Sequence, residues 1–249
     1  YDFYLRVELQ MKPNTILRNI LPLRKMVRFA VNKGYILADP FAPYKPIRGR
    51  SEHRFLTMKE LKKIMSTNFY SYFRNLTRDM FVFASFTGMA YSDIRELTVK
   101  ELITTDDGNK WIITARKKTG TVSRIRLLDV AIRIIEKYEK KRTGEKVFPM
   151  PKYTTADINL KRIAEICEIE KNVTFHMSRH FFASQVCLSQ GVPIETVSRM
   201  LGHKDIHTTQ IYATVSNDKI NSDMKRLSQR IAGKFSFAKQ QTTEPTTNQ

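Results

Sequence analysis

The chain is short of acidic residues. Asp and Glu total 24 against 43 Lys and Arg, which leaves a formal net charge of +19 and a pI near 10.0. So basic a surface attracts polyanions over several ångströms, and nucleic acid is the commonest partner of that kind, with anionic lipid as the other option. Basic residues occur in nearly every segment and form no single tail, so a folded surface is expected to carry the contacts. No apolar run approaches the ~18 residues of a spanning helix, so no such helix is expected. Cysteine is scarce too: Cys167 and Cys187 are the only two, and no C-x-x-C occurs. Both sit in apolar helical patterns, which points to buried thiols in a reducing cytoplasm. No signal peptide and no internal repeat is present, and the opening "YDFYLRVELQ" reads as a segment that starts mid-protein. What remains is 249 residues with 41% apolar content, enough to bury the core of one large domain or two smaller ones.

Hydrophobic periodicity divides the chain. Residues 15–33 place Ile16, Ile20, Leu23, Val27 and Ala30 at helical spacing, with Pro22 expected to bend or break the helix. Prolines and the absence of any apolar period mark residues 38–54 as connecting chain. This gives a small helical piece over 1–45, a linker over 46–54 and a main domain over 55–232. A polar tail over 233–249 is expected to be partly disordered. The main domain opens on a capping box, Thr57 with Glu60, followed by a long apolar helix that stops at Thr87-Gly88. Ser92 is read as the cap of a short helix, "SDIREL". The period then changes: "KWIITARK" and "TVSRIRLL" read as two strands joined by a turn at 118–120, with Ile125 and Leu127 alternating with Arg124 and Arg126. Helices are expected at about 129–142, 154–168, 176–190, 193–201, 206–213 and 216–232. The fold class is therefore mainly α with a small antiparallel β-sheet.

Four of the five histidines fall in two short stretches, "HMSRH" at 176–180 and "GHKDIH" at 202–207. The pairs His176/His180 and His203/His207 have the i, i+4 spacing that can share a metal ion. Their neighbours oppose that reading: Arg179 lies inside one pair and Lys204 follows His203, with no general-base Glu in either. His180 and His207 read as packing or surface residues. An anion fits better, because His176 and Arg179 are i, i+3 and can aim a ring nitrogen and a planar guanidinium at one phosphate. Tyr212 follows in "TTQIYATV". A phenol is a poor nucleophile unless cations stabilise its phenolate, and a basic cluster beside it is what attack on a phosphodiester needs. Taken singly, Tyr212 reads better as a buried core aromatic.

The order of these residues resembles the C-terminal signature of the tyrosine recombinases, the phage-integrase family. H-x-x-R is His176 and Arg179, Leu201-Gly202-His203 follows about two dozen residues later, and Tyr212 comes nine residues after that histidine. "FASFTGMAYSDIREL" looks like the family's T-G-x-R-x-S-E-L region, and "ARKKTGTVSRIRLL" looks like its lysine-bearing β-hairpin. The likeness covers about 55–232, and the basic helical piece before Pro40 is similar to the end of the family's core-binding domain. Within the family, the chain most resembles integrases of Bacteroides-type conjugative transposons and phages.

The resemblance implies a recombinase catalytic domain preceded by a partial helical core-binding domain, acting on double-stranded DNA through a 3′-phosphotyrosyl intermediate. It implies Tyr212 as nucleophile, Arg179 bridging the non-bridging oxygens, His176 as base or hydrogen-bond partner, and His203 as a further donor. Alignment on "IRL" puts the family lysine, the general acid, at Lys118, with Lys117 as the fallback. Neither metal nor ATP is required. A homo-tetramer in synapsis, a monomer off DNA, an accessory DNA-bending protein, a cytoplasmic location and no membrane partner complete the expectation. One position departs from the pattern, for Ala90 stands where the family places its first arginine. Arg116, two residues before Lys118 and on the same face of an extended strand, is the expected replacement, in preference to Arg95. The alternatives are a non-cleaving DNA-binding protein of the same fold and a histidine-metal hydrolase.

Overall fold

The computed structural model describes residues 1–49, 55–142, 144–213 and 217–232. The chain forms two compact units, Tyr1–Arg54 and Phe55–Gln249. In the first, a single π-helical turn, Tyr4–Glu8, precedes helix α1, Pro13–Asn32. Proline at the first position suits a helix start, where no intrahelical N–H bond is lost. Pro22 lies inside α1, which continues through it rather than ending there. The unit's core is Leu5, Ile16 and Ile20, covered by Met11, Phe41 and Tyr44. Only the first two positions of the expected α1 stripe are buried. Leu23 is exposed.

The second unit is built around one helix. After α2, Met58–Ser66, the chain enters α3, Tyr72–Thr87. The capping box holds as expected: Thr57 N–H donates to Glu60 Oε2 at 2.6 Å and Glu60 N–H to Thr57 Oγ1 at 3.2 Å. Leu76, Met80, Phe81, Val82, Phe83 and Ala84 bury α3 on nearly every side, as a helix apolar all round requires. It ends at Gly88 with φ 70°, where a Cβ would collide with Phe182 and Leu201. Glycine is thus required both for the left-handed turn and for the close approach.

Helix α4, Tyr91–Glu96, begins directly after Ala90. Ala90, not Ser92, occupies the cap position, and no side chain caps the helix. Ser92 lies one residue inside it, with its hydroxyl turned to Asp93 Oδ1 at 3.4 Å. The sheet follows: β1, Leu102–Thr104; β2, Lys110–Ala115; and β3, Val122–Arg126, antiparallel in the order β1-β2-β3. Ile112 pairs with Ile125 on the buried face, while Arg124 and Arg126 point outward. The expected hairpin is there. The third strand, β1, was not expected; at three residues it carries too little alternation to be read.

Helices α5, Asp129–Glu139, and α6, Tyr153–Ile166, pack with α3. Buried Asp79 ties α3 to α5, accepting from Lys137 Nζ at 2.6 Å and from Tyr138 Oη at 2.8 Å. The single helix expected over 176–190 is three pieces: α7, His176–Phe181; a π-helical stretch, Phe182–Cys187; and a 3₁₀ turn, Leu188–Gln190. Ser184 and Ser189 donate to the carbonyls four residues back, at 2.8 and 2.6 Å, a bond that bends helices. Then come α8, Ile194–Leu201, α9, His207–Gln210, and α10, Asn217–Ile231. Cys167 and Cys187 are buried free thiols. Among the described residues, no helix is long and apolar enough to cross a membrane.

Candidate active site

Two helices end at one buried arginine. Helix α3 closes at Gly88 and α8 at Gly202, each in the left-handed conformation. Such ends leave carbonyls without intrahelical partners, at the negative pole of the helix dipole. Arg179, on α7 and only 3% exposed, answers both. Its Nη1 donates to Gly88 O and its Nη2 to Leu201 O, each at 2.6 Å. This is how a guanidinium is tolerated inside a protein. Burial first, then the charge of Arg116, pushes its pKa down to about 10, so it remains a cation at neutral pH.

His203 follows Gly202 and lies against the same guanidinium. Arg179 Nη2 is 2.9 Å from His203 Nε2, and His203 Nδ1 is 2.8 Å from Thr209 Oγ1. A guanidinium can only donate, so Nε2 accepts and Nδ1 carries the proton it gives to Thr209. The ring is therefore neutral, in agreement with a pKa pushed down to about 4 by burial, then by Arg179, Arg116 and His176. In this arrangement the Nε2 of His203, expected as a further donor, accepts from Arg179. Donation to a phosphate would require giving up the Arg179 contact.

His176 opens α7 at the mouth of the site, with its ring partly open to solvent. Desolvation, then the charges of Arg179, Arg116 and Lys118, holds its imidazole below the ordinary value, so it too is a neutral acceptor at pH 7. Lys117, the fallback, borders the site as well: it lines one cavity with His176 and Arg179, with its ammonium 3.7 Å from Glu96 and its backbone N–H donating to Asp93 Oδ1 at 3.2 Å.

Tyr212 follows α9 and is 5% exposed. One flank packs on Phe182, Ala183, Cys187, Val197 and Leu201. The other meets imidazoles: His203 stacks on it at 6.2 Å between centroids and 19° between planes, and His180 meets it edge-on at 4.7 Å. Burial raises its phenol pKa, against the charge and hydrogen bond of Arg179 and then the charge of Arg116. The hydroxyl thus rests protonated beside cations, and an attack by it would need a base. Both readings of this tyrosine meet at one position: it is a core aromatic whose hydroxyl faces the arginine.

Arg116 is brought into the site, by a route different from the expected one. Strand β2 stops at Ala115, so Arg116 and Lys118 do not leave one strand face; both belong to the turn, where Arg116 N–H donates to Thr121 O at 3.0 Å. The Arg116 stem instead crosses the end of α8, where a Cβ on Gly202 would lie 2.7 Å from Arg116 Cδ. Its Nε faces Asp93 Oδ2 at 3.4 Å, and both side chains are nearly buried. Ser123 on β3 donates to Met200 O, which fastens the hairpin to α8. Sequence reasoning missed Asp93 and Thr209, since no motif spacing distinguishes them from ordinary helix residues.

Ala90 lies on the wall of a cavity of about 460 Å³ lined also by Arg95, Lys117, Tyr153, His176 and Arg179. The alanine therefore faces the site. Arg95 shares that wall, but its charge acts on Tyr91 and Glu96. The charge of Arg116 acts on Arg179, His176, His203 and Tyr212. Tyr91 donates its hydroxyl to Pro151 O. His207 is exposed and bonded to Gln210 at 2.9 Å, away from the ring of His203. Among the described residues, no group of three or more His, Cys, Asp or Glu is placed to hold a metal ion.

Comparison with known proteins puts this arrangement in context. The profile of the phage integrase family matches residues 54–219. The tyrosine recombinase XerA of Saccharolobus solfataricus is 33% identical over 144 residues, which cover 57% of this chain and 47% of that protein. The tyrosine recombinase XerD of Listeria innocua is 26% identical over 242 residues, covering 88% of this chain and 77% of that one. Among solved structures, the Tn1549 transposon integrase in complex with a circular intermediate DNA superposes with a TM-score of 0.67 at 18% identity, over 89% of this chain and 82% of that one. A crystal structure of XerA recombinase gives 0.57 at 18% identity, over 91% and 81%.

Proposed function

The chain belongs to the phage integrase family, and from that membership we propose that it is a site-specific tyrosine recombinase that cleaves and rejoins double-stranded DNA. The observation that carries the reading is the packing of Tyr212 on His203 while His203 accepts from Arg179, at the meeting point of two helix ends. A nucleophile, an anion clamp and neutral imidazoles share one place.

In the proposed reaction Tyr212 Oη attacks the phosphorus of a DNA phosphodiester. A bond from Oη to phosphorus forms, and the bond from phosphorus to the 5′-oxygen breaks. His176, held neutral, takes the phenol proton; Lys118, in the hairpin turn, gives a proton to the leaving oxygen. Arg179 and Arg116 meet the charge that gathers on the phosphorane, where fixed donors in a water-poor site act most strongly. The 5′-hydroxyl of a partner strand then reverses the steps. Two ester exchanges conserve the bond energy, so the chemistry asks for neither ATP nor metal.

The first unit serves as part of a core-binding domain, gripping the duplex with its basic helix. Four copies assemble on two duplexes, the chain being a monomer off DNA, and an accessory DNA-bending protein is a further candidate partner. Ala90 favours one other reading, a non-cleaving DNA-binding protein of the same fold. Arg116 in the site weighs against it. Incubation with nicked suicide DNA separates the two: a covalent adduct on a denaturing gel, absent in Tyr212→Phe although DNA binding persists, supports the recombinase. No adduct from the unmodified chain supports the non-cleaving reading.

A further inference from the structure

His180 has no role in the chemistry above, and by sequence it reads as a packing or surface residue. Its surroundings say otherwise. His176 and His180 are one helical turn apart on α7, so their rings share a face. The two rings meet at 4.8 Å between centroids and 90° between planes. On its other side the His180 ring meets Tyr212 at 4.7 Å and 80°, and Phe55 at 5.7 Å and 60°. These are edge-to-face contacts within the range that holds aromatic pairs. His180 therefore touches both the proposed base and the proposed nucleophile.

We propose that His180 is a positioning residue, whose ring fixes the Tyr212 phenol against Arg179 and sets its distance from His176. The proposal rests on the recombinase reading of Tyr212. Tyr212 follows a four-residue helix, so little regular backbone holds it. Its ring is located by what packs around it, and His203 supplies one imidazole face while His180 supplies the other contact. Without the His180 ring the phenol gains room to swing, and a displacement of about 1 Å can cost on the order of a hundredfold in rate. The ring acts here by shape, so an aromatic side chain without nitrogen serves in its place.

The test uses the full chain and single-turnover cleavage of nicked suicide DNA. His180→Ala is expected to slow adduct formation by about tenfold to a hundredfold, with DNA affinity within about threefold of the unmodified chain. His180→Phe is expected to recover most of that loss. A DNA carrying sulfur in place of the leaving 5′-oxygen needs no proton to depart; it rescues Lys118→Ala and leaves His180→Ala slow. Near-normal cleavage by His180→Ala overturns the proposal. So does equal impairment of His180→Phe and His180→Ala, or rescue of His180→Ala by the sulfur substrate. If the alanine variant does not fold, His180→Leu keeps the volume without the ring and is read the same way. An adduct still formed by Tyr212→Phe would instead sink the nucleophile assignment itself.

Discussion

Arg116→Ala removes the guanidinium whose charge bears on Arg179, His176, His203 and Tyr212. Its side chain is 12% exposed and faces Asp93, itself 5% exposed, at 3.4 Å. Two losses follow. A charge-assisted bond to the transition state is worth about 1.5–3 kcal/mol, which converts to roughly ten- to a hundredfold in rate. Separately, Asp93 is left as a buried carboxylate without its cation, and breaking such a pair costs about 3–5 kcal/mol of folding stability when the contact is close. At 3.4 Å the contact is long, so the lower end applies. Asp93 also keeps the Lys117 N–H at 3.2 Å. The assay is single-turnover adduct formation, with DNA binding and thermal unfolding measured on the same samples. Cleavage should be nearly abolished, binding only modestly weakened, and the melting temperature lowered. Adding Asp93→Asn should return stability without returning cleavage, which separates the two losses. Adding Ala90→Arg should restore part of the cleavage, because position 90 opens on the cavity that holds His176 and Arg179. Arg95→Ala should be much milder. If Arg116→Ala cuts at a near-normal rate, the replacement idea fails and one arginine suffices.

Three further outcomes are expected. With a net charge of +19, DNA affinity should fall by a factor on the order of 10³ or more between about 50 and 200 mM salt, while cleavage at low salt is indifferent to EDTA; activity lost in EDTA and regained with zinc would favour a metal hydrolase. The folded-state pKa of His203 is lowered from 6.5 to about 4. The native state then binds fewer protons than the unfolded state between those values, so its contribution to stability is present above pH 6.5 and lost as pH falls toward 4. Thermal unfolding of His203→Gln should show a shallower decline across that window, and an unchanged decline would contradict the assignment. Deleting residues 233–249, which lie outside the described residues, should leave single-site binding intact and weaken synapsis; no effect on either would mean that this segment does not dock on a neighbour.

What the sequence made legible was whatever depends on spacing along the chain. Thr57 and Glu60 are three apart and form their capping box; Gly88 stops the long apolar helix; Ile125 and Leu127 alternate with arginines and are buried as alternation requires. Arg179, His203 and Tyr212 meet because their spacing carries the family pattern. Features that depend on contacts across the fold were not legible. Ser92 has the right chemistry for a cap, but the chain turns into α4 two residues earlier than a serine cap there would require. The stretch 176–190 has a helical apolar pattern throughout and still loosens into a π-helix over Phe182–Cys187, which no local pattern signals. Arg116 was placed in the site by a strand argument, yet reaches it from a turn across Gly202. Asp93 and His180 matter through partners 23 and 32 residues away, Arg116 and Tyr212, and no local pattern encodes those contacts.

The most direct measurement is the identity of the residue that carries DNA after cleavage. The chain is incubated with nicked suicide DNA bearing its native site, the adduct is digested, and the DNA-linked peptide is sequenced by mass. The account predicts one linkage, from a 3′-phosphate to Tyr212, formed in EDTA and absent in Tyr212→Phe. A linkage at Tyr91 or any other residue, or strand cleavage with no covalent intermediate, would contradict it.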